Sequence, residues 1–539
     1  MKKRILSLAL CAALTLGLLL TGCSGSSSSF TWKVSSVPAN LDPQMANTSQ
    51  EIIAVTNLYR GLTRMDETNT PVLDCAESYT LSTDGLTYTF VLRSDLSYTK
   101  LKKHTKEYEL TAKDFVFGLQ RTLMPQTNSP YAQLFANIQG AAQVMAGEAP
   151  ASTLGITAPD DRTVVIRLAQ PDADFLSKLA SPGAMPCNQE FFEASGGSYG
   201  LSAQYTLANG WFYMYNWNEN GLFLRRNATG SQIASLRLVL DEESLAASSA
   251  AQSVSSSSDS QVTVPSPAQR ILDGEASGGI GSVSSAQGLT TIPFTTTTWA
   301  LVFNTQEPQL SSPAVRQALI SSIQQATVNL SADFSVAEGL IPPSVTVQST
   351  SYRQQAGTIL PAAVSNVREL CRQGLESSGL TRFDNIQILM PQNQSVQEMV
   401  SQLNQQWQQD LGAFSAYFSL KQVTQQELEQ ALQTGSYQIA LVPLTSTSNS
   451  AAAMLKTFAA GAWTGLVDST FDQAMEGVNS ASQTAAGQIS ACEKLLMDQY
   501  SVYPLWYEQQ ALLLAPNIKG VVFNPFGPVL DLTWATATD

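Results

Sequence analysis

Asn385-Ile386-Gln387-Ile388-Leu389-Met390, followed closely by Ser395-Val396-Gln397-Glu398, opens the part of the chain from which a fold can be read. The first six residues are apolar enough to predict a strand. Ser395 with Glu398 three positions later has the pattern of a capping box. The helix it predicts places Val396, Met399, Val400, Leu403, Trp407 and Leu411 on one face and stops at Gly412. A second strand is expected over 414–420. Thr424-Gln425-Gln426-Glu427 repeats the capping pattern, its helix carrying Leu428 and Leu432 inward and ending at Gly435. Residues 437–442 return as a strand. Strands and helices in alternation predict an α/β lobe with a largely parallel sheet. Upstream, Ser312-Pro313 starts a helix with Val315, Ala318, Leu319 and Ile323 facing inward.

Working outward, the first half of the chain reads as strands, turns and a few helices. After the turn Thr83-Asp84-Gly85, the residues Leu86, Tyr88, Phe90 and Leu92 alternate with Thr87, Thr89, Val91 and Arg93, a half-buried strand. Thr111 caps a helix bearing Phe115, Val116, Leu119 and Leu123, with Asp114 in its first turn. Strands are expected over 163–168 and from Gly221. Residues 245–267, rich in Ser, Ala and Gln around Ser255-Ser256-Ser257-Ser258, cannot bury much apolar area and predict a solvated, mobile insertion.

The amino terminus predicts where the protein works. Met1-Lys2-Lys3-Arg4 precedes an apolar run to Leu20 that is short for a membrane span and fits a signal peptide over 1–22. Leu20-Thr21-Gly22-Cys23 looks like the bacterial lipobox, in which the cysteine thiol takes a lipid. Cys23 is therefore expected to anchor the chain to the cell membrane, with residues 23–29 as a flexible tether. Losing Lys2, Lys3 and Arg4 takes the net charge from -14 to about -17. Such a chain is a poor partner for nucleic acid, which needs clustered Lys and Arg. Cys75, Cys187, Cys371 and Cys492 form no CxxC pair, so no zinc site is expected; they are buried free thiols or one or two disulfides.

Catalytic patterns are thin. The single histidine, His104, lies in the polar stretch Lys102-Lys103-His104-Thr105-Lys106 and is expected at the surface. Gly196-Gly197-Ser198-Tyr199-Gly200 matches G-x-S-x-G, but that pattern needs a histidine later in the chain and none follows. Gly278-Gly279-Ile280-Gly281 lacks dinucleotide spacing. Carboxylates such as Asp241, Glu242 and Glu243 are numbers an acidic chain supplies by chance. No enzyme, no metal and no cofactor is expected.

Taken in order, a set of landmarks resembles the family 5 extracellular solute-binding proteins, the oligopeptide- and dipeptide-binding receptors of ABC importers. They are Pro38-Ala39-Asn40-Leu41-Asp42-Pro43, Asn57-Leu58-Tyr59-Arg60-Gly61-Leu62, the strand at 82–93 and Leu110-Thr111-Ala112-Lys113-Asp114-Phe115. Further on come Asn209-Gly210 ahead of Trp217, Phe303-Asn304-Thr305, Val315-Arg316-Gln317-Ala318-Leu319 and Ile341-Pro342-Pro343. The resemblance implies two α/β lobes of the type II periplasmic-binding-protein kind, joined by two crossing segments and hinged to close on ligand. Lobe 1 is expected at 30–278, lobe 2 at 279–499 and a return to lobe 1 at 500–539.

The resemblance also points to a pocket. In the family's oligopeptide receptors an aspartate after the strand at 437–442 pairs with the peptide amino terminus, and here Thr447 takes its place. Leu444 stands for a tryptophan, Leu441 for an arginine, Gln425 and Leu432 for a further aromatic and arginine, and Asn47 for an acidic residue. The tyrosine at Tyr131, in Ser129-Pro130-Tyr131, is kept. An ammonium buried without a carboxylate loses hydration uncompensated. The expected ligand is therefore less charged or more apolar, or a peptide held in another way, with Asp468 or Asp472 as an alternative anion. Asn47, Tyr131, Gln425, Leu444, Thr447, Ser448 and Asn449 are the expected ligand-site residues. The expected function is a lipid-anchored, monomeric receptor that captures a peptide or similar small solute and delivers it to an ABC permease and its ATPase. A sensor or pheromone receptor of the same fold is the alternative, and an extracytoplasmic hydrolase using Ser198 the remote one.

Overall fold

A computed structural model describes residues 28–101, 104, 106–226, 230–241, 243, 265–414, 418–446, 448–479, 482–526 and 529–538. The signal segment, Cys23 and Ser24 to Ser27 lie outside them, as do Thr447 and residues 245–264 of the Ser-rich insertion. Ser28 and Ser29, expected to end the tether, are instead built into the fold: Ser28 O accepts from Ala234 N at 2.7 Å, and Ser29 begins a strand.

One large mixed sheet of eleven strands runs through the molecule. Ten of its strands follow the chain as β1 (Ser29–Val34), β2 (Tyr213–Asn218), β3 (Gly221–Arg225), β4 (Ser235–Leu240), β5 (Gly278–Ser282), β6 (Thr290–Phe303), β7 (Gln387–Pro391), β8 (Ser419–Val423), β9 (Ile439–Thr445) and β10 (Val502–Leu514). Their spatial order is β8-β7-β9-β6-β10-β5-β1-β4-β3-β2, with Phe334–Val336 added beside β10. β7 pairs parallel with β8 and β9, as the alternating pattern predicted, and β1 pairs parallel with β4. β6 and β10 are antiparallel to their neighbours, so the whole sheet is mixed.

In the second lobe β6, β7 and β9 are buried on both faces, which is why they read as continuous apolar runs. Leu301, Phe303, Ile388, Met390 and Leu441 face a core shared with the helices Pro313–Gln324, Val367–Ser377 and Gln394–Leu411. Ala300, Val302, Leu389, Ala440 and Val442 face a second core with the helices Gln425–Thr434 and Ala485–Asp498. In the first lobe, Phe30, Leu58, Phe212, Leu236 and Leu512 form the core of the large sheet. Residues between Leu62 and Leu207 make a separate core around a four-stranded sheet and the helix Ala112–Leu123.

Several local expectations hold. The box at Thr424 forms in full, Thr424 Oγ1 accepting from Glu427 N and Glu427 accepting from Thr424 N, and Gly435 ends the helix at φ 68°. The box at Ser395 does not form. Asn393 caps instead, its side chain accepting from Val396 N at 3.0 Å, so the helix begins two residues earlier. Of the strand expected at 414–420, Ser419 and Leu420 lie in β8 and Phe414 ends a 3₁₀ turn, while residues 415–417 lie outside the described residues. Cys75, Cys187, Cys371 and Cys492 are free and buried.

His104 is a correction. It is 8% exposed, its Nδ1 accepting from Leu101 N at 3.3 Å and its Nε2–H donating to Thr206 O at 3.1 Å. The ring packs edge-on against Phe191, and burial lowers its pKa. The basic neighbours suggested a surface position, yet the ring fills an apolar recess with both nitrogens engaged. Neither nitrogen is free to act as a base for Ser198, whose own N–H closes a turn on Ser195 O.

Candidate functional site

In the second lobe, four segments converge beyond the carboxyl end of β9, the end of parallel strands where α/β folds bind ligands. The first is the helix Gln425–Thr434. Gln425, Leu428, Glu429, Leu432 and Gln433 recur at helical spacing and present one face to a cavity of about 560 Å³. Leu428 and Leu432 on that face also root it in the core. The second segment is β9 and its continuation, which contribute Val442, Pro443, Leu444, Thr445, Ser446 and Ser448. The third is the helix Ala451–Lys456, capped by Ser450 accepting from Ala453 N at 3.2 Å, which adds Ala453 and Met454.

The fourth segment brings Thr457 and Trp463. Its backbone is strained. Ala460 and Trp463 take positive φ of 54° and 66°, rare for residues with a Cβ, alongside Gly461 and Gly465. The conformation is held from outside the loop. Tyr437 Oη donates to Trp463 O, Thr305 Oγ1 donates to Thr464 O at 2.9 Å, and Ala460 N donates to Asp472 Oδ1 at 2.8 Å. Asn304 Nδ2 donates to Gly435 O and Tyr437 O at 3.0 and 2.8 Å. The landmark Asn304-Thr305 thus fastens both the end of the first helix and the loop that carries Trp463.

The loop after β9 is fixed at three points. Ser446 N donates to Thr296 O at 2.8 Å, and Ser446 Oγ to Ser448 O at 2.7 Å. Asn449 Oδ1 accepts from Thr346 N at 2.7 Å, while its Nδ2 donates to Thr346 Oγ1 at 2.6 Å. Asn449 therefore braces the loop against the hairpin at Thr346 and is not in the cavity wall.

In the first lobe the segment 40–47 is tied on both sides. Asp42 pairs with Arg121 through Oδ2 at 2.6 Å and Oδ1 at 3.2 Å, with the side chains 2% and 4% exposed. Glu51 accepts from the backbone N–H groups of Asn40, Asn47 and Thr48. Tyr131 Oη donates to Ala46 O at 2.7 Å, and burial raises its phenol well above the ordinary range. Gly183 permits this seat, because a Cβ there would lie 2.5 Å from Tyr131 Cβ. Asn47 is exposed.

Of the expected site residues, Gln425, Leu444 and Ser448 share the cavity, together with Leu432. Asn47 and Tyr131 sit next to one another in the first lobe and do not line it. Thr447 lies outside the described residues. Leu441 points to the opposite face of β9 into the other core, so no side chain there can reach the cavity. Asp468 is a helix cap whose Oδ1 takes Thr470 N and whose Oδ2 takes Gln499 Nε2. Burial alone would raise its pKa, but these bonds outweigh it and lower it. Asp472 is engaged with Ala460. Neither lines the cavity. Sequence reasoning missed Glu429, Met454, Thr457 and Trp463. Glu429 had a signal, lying one helical turn beyond Gln425; the Gly461 to Gly465 loop has no period and offered none.

The family profile described as bacterial extracellular solute-binding proteins, family 5 Middle, matches residues 70–465. A dipeptide-binding protein of Lactococcus lactis is 34% identical over 212 residues, 39% of this chain and 37% of that protein. YgiS of Escherichia coli, a probable deoxycholate-binding periplasmic protein, is 26% identical over 516 residues, 92% of this chain and 91% of that one. Two solved structures superpose with a TM-score of 0.65 at 20% identity: the substrate-binding domain of an oligopeptide ABC transporter from Bacillus anthracis, and OppA of Listeria monocytogenes bound to peptide. They cover 96% of this chain and 99% and 100% of their own, a likeness of fold that gives the two-lobed architecture.

Proposed function

The chain belongs to the bacterial extracellular solute-binding proteins of family 5, and we propose that it is the peptide-capturing receptor of an ABC importer. The observation that carries this is the cavity beyond β9, whose wall contains Gln425, Leu444 and Ser448 from the expected ligand set. Peptide is favoured as ligand by the dipeptide-binding relative and by a cavity of about 560 Å³ whose wall joins four separate segments. The apolar share of that wall, with Leu428, Leu432, Leu444 and Met454, suits uncharged side chains. The role is binding and delivery to a permease, not catalysis; His104 and Ser198 make no nucleophile pair.

The same reading divides the chain into lobe 1, lobe 2 and a return to lobe 1, with the expected bounds 278/279 and 499/500 each set later along its crossing strand, since Phe294 still packs in the first-lobe core and Tyr503 and Trp506 in the second. It makes Cys23 the lipid-bearing residue that keeps a monomeric receptor beside its transporter. Support for the anchor comes from the Leu20-Thr21-Gly22-Cys23 motif and from β1 starting only six residues later, so that a short leash leads directly into the large sheet.

Mass spectrometry of material released from the purified protein is the direct test: co-purifying peptides are expected. Thermal stabilisation by a mixed peptide pool should be lost when residues 444–449 are replaced by a Gly-Ser loop. No released peptide and no stabilisation by the pool would refute the proposal. Metabolic labelling with a palmitate analogue should mark the wild-type chain and not Cys23→Ser, and labelling of both would refute the anchor.

A further inference from the structure

Strands β1 to β4 lie side by side at one edge of the large sheet. Together they contain three basic residues, Lys33, Arg225 and Arg237, and no Asp or Glu. Their inward side chains, such as Phe30, Leu224 and Leu236, fill the first-lobe core. Alternation along each strand turns Lys33, Arg225 and Arg237 to the opposite face. No side chain on that face is buried among the described residues. The helix Pro267–Leu272 packs on the same side of the sheet, against Ala511 and Leu513 of β10, in a cluster that includes no residue of β1 to β4.

The three cations form no ion pair among the described residues. Arg225 lies 3.5 Å from the exposed ring of Tyr215, and Arg237 lies 5.8 Å from that of Phe223. Each guanidinium thus rests on a ring and not on a carboxylate, which leaves its N–H groups for an anion from outside. Glu219, Asp241 and Glu243 stand at the end of the face away from Ser29, and Arg270 pairs with the last two.

Position and sign together identify the occupant. Ser28 comes five residues after Cys23, a reach of at most about 18 Å. Ser29, Ser235 and Arg225 are level with one another in the sheet, so the cationic face begins where the tether ends. A chain of net charge -14 is repelled by an anionic bilayer wherever its own carboxylates come near. Screening at physiological ionic strength limits that field to about 8 Å, so only the charges nearest the lipid count. This face brings cations alone, with Tyr215 and Phe223 as aromatic surface suited to the headgroup layer.

We infer that the outer face of β1 to β4 docks on anionic phospholipid headgroups and so sets the orientation of the first lobe on the membrane. This rests on Cys23 bearing the lipid, and the test keeps the two apart. The mature chain from Ser24, with a histidine tag at its amino end, is held on vesicles by a nickel-chelating lipid, so its tether does not need Cys23. Ser231→Cys carries a fluorophore at the rim of the face, in the loop from β3 to β4. Gln405→Cys carries one on the exposed side of the second-lobe helix Gln394–Leu411. Cys75, Cys187, Cys371 and Cys492 are buried and spared by the label. Quenching by a nitroxide on the lipid headgroup reads contact.

Quenching at position 231 is expected to be at least about threefold stronger on mixed phosphatidylglycerol and phosphatidylcholine than on phosphatidylcholine alone. It should fade in about 1 M salt. Arg225→Gln with Arg237→Gln should lower the ratio of docked to free protein at least about tenfold, with an unchanged unfolding midpoint. The label at position 405 should stay unquenched on both vesicles. If these results appear while Cys23→Ser still takes up the palmitate analogue, the anchor reading fails and the docking face stands. If Cys23 is the labelled residue but position 231 shows no preference for phosphatidylglycerol, the anchor survives and this inference is overturned. It is equally overturned if the double variant keeps the preference, or if position 405 is quenched as strongly as position 231.

Discussion

Asp42→Ala should destabilise the first lobe by about 4 kcal/mol, because breaking a buried ion pair from one side costs about 3–5 kcal/mol. The carboxylate it removes accepts two hydrogen bonds from Arg121 and one from Gln44 N, the last at 3.1 Å. Arg121 cannot escape to water, with its side chain only 4% exposed. What remains around it is Gln44 Oε1 at 2.7 Å, Cys187 Sγ at 3.4 Å, and the face of Phe192 at 4.0 Å. A neutral amide and an aromatic ring compensate a guanidinium only in part, which places the cost in the middle of the range. Asp42 O also accepts from Met45 N and Ala46 N, so the turn that leads to Asn47 should loosen.

Because the molecule has several cores, one global unfolding transition cannot be assumed. Urea titration should therefore be followed together with hydrogen exchange at residues 41–46, where protection should fall by about three orders of magnitude for 4 kcal/mol. Asp42→Ala combined with Arg121→Met removes both charges and should be less destabilised than Asp42→Ala alone. A loss below about 1 kcal/mol, the value of an exposed pair, or unchanged protection at 41–46, would refute this account of the Asn40-Leu41-Asp42-Pro43 landmark.

Glu493 is fully buried and accepts from Arg353 Nη2 at 2.6 Å, Leu340 N at 2.7 Å and Tyr352 Oη at 2.7 Å, so Glu493→Gln should lower second-lobe stability by about 3 kcal/mol, read by urea titration. His104 should titrate below 6.5 by NMR, where it is the only histidine signal. Its folded pKa is depressed, so stability is present above 6.5 and is lost as pH falls below it, while the unfolded chain takes up the proton. A midpoint at or above 6.5 would contradict the buried, doubly engaged ring. Gly183→Ala should cost about 1–3 kcal/mol by forcing Tyr131 from its seat, with loss of its contact to Ala46 visible as increased exchange there.

How far the fold could be read from sequence depended on whether local and tertiary demands agreed. At Thr424 they did: one cap candidate, an N3 glutamate, an inward Leu428 and a terminal glycine all specify one helix. At Ser395 two candidates competed. Asn393 won because β7 ends at Pro391 and leaves Asn393 as the first residue able to turn its side chain onto the helix amides. The buried face was unaffected, since Val396, Met399, Leu403 and Trp407 keep their spacing whichever residue caps. Phe418 stands just outside β8 for a tertiary reason. Phe418 N and O are taken by the side chain of Asn404 at 3.1 and 2.5 Å, and its ring fills the core beside Trp407. The site was less legible. Face assignment on the helix Gln425–Thr434 followed from periodicity, but which loops would complete the wall did not, and Trp463 arrives on a backbone that no propensity favours.

The crossing between lobes shows why a polar run can hide a central strand. Thr295-Thr296-Thr297-Thr298 has no apolar period, yet these residues lie in the middle of β6 at 9% exposure or less. Three of them are held from the side: Thr295 N by Ser344 Oγ at 2.8 Å, Thr297 Oγ1 by Thr445 Oγ1 at 2.9 Å, and Thr298 Oγ1 by Leu340 O at 2.8 Å. Between Phe294 and Thr297 the pairing with β10 shifts register. Phe294 belongs to the first-lobe core, and Trp299 and Leu301 to the second. The strand therefore changes core across an interruption in its ladder, the place where bending disturbs fewest hydrogen bonds. Thr296 O, inside that interruption, accepts the N–H of Ser446 in the cavity wall. A shift of one core against the other about this segment must either carry Ser446 with it or break that bond. The cavity loop is thus tied directly to the segment of β6 across which the strand changes core.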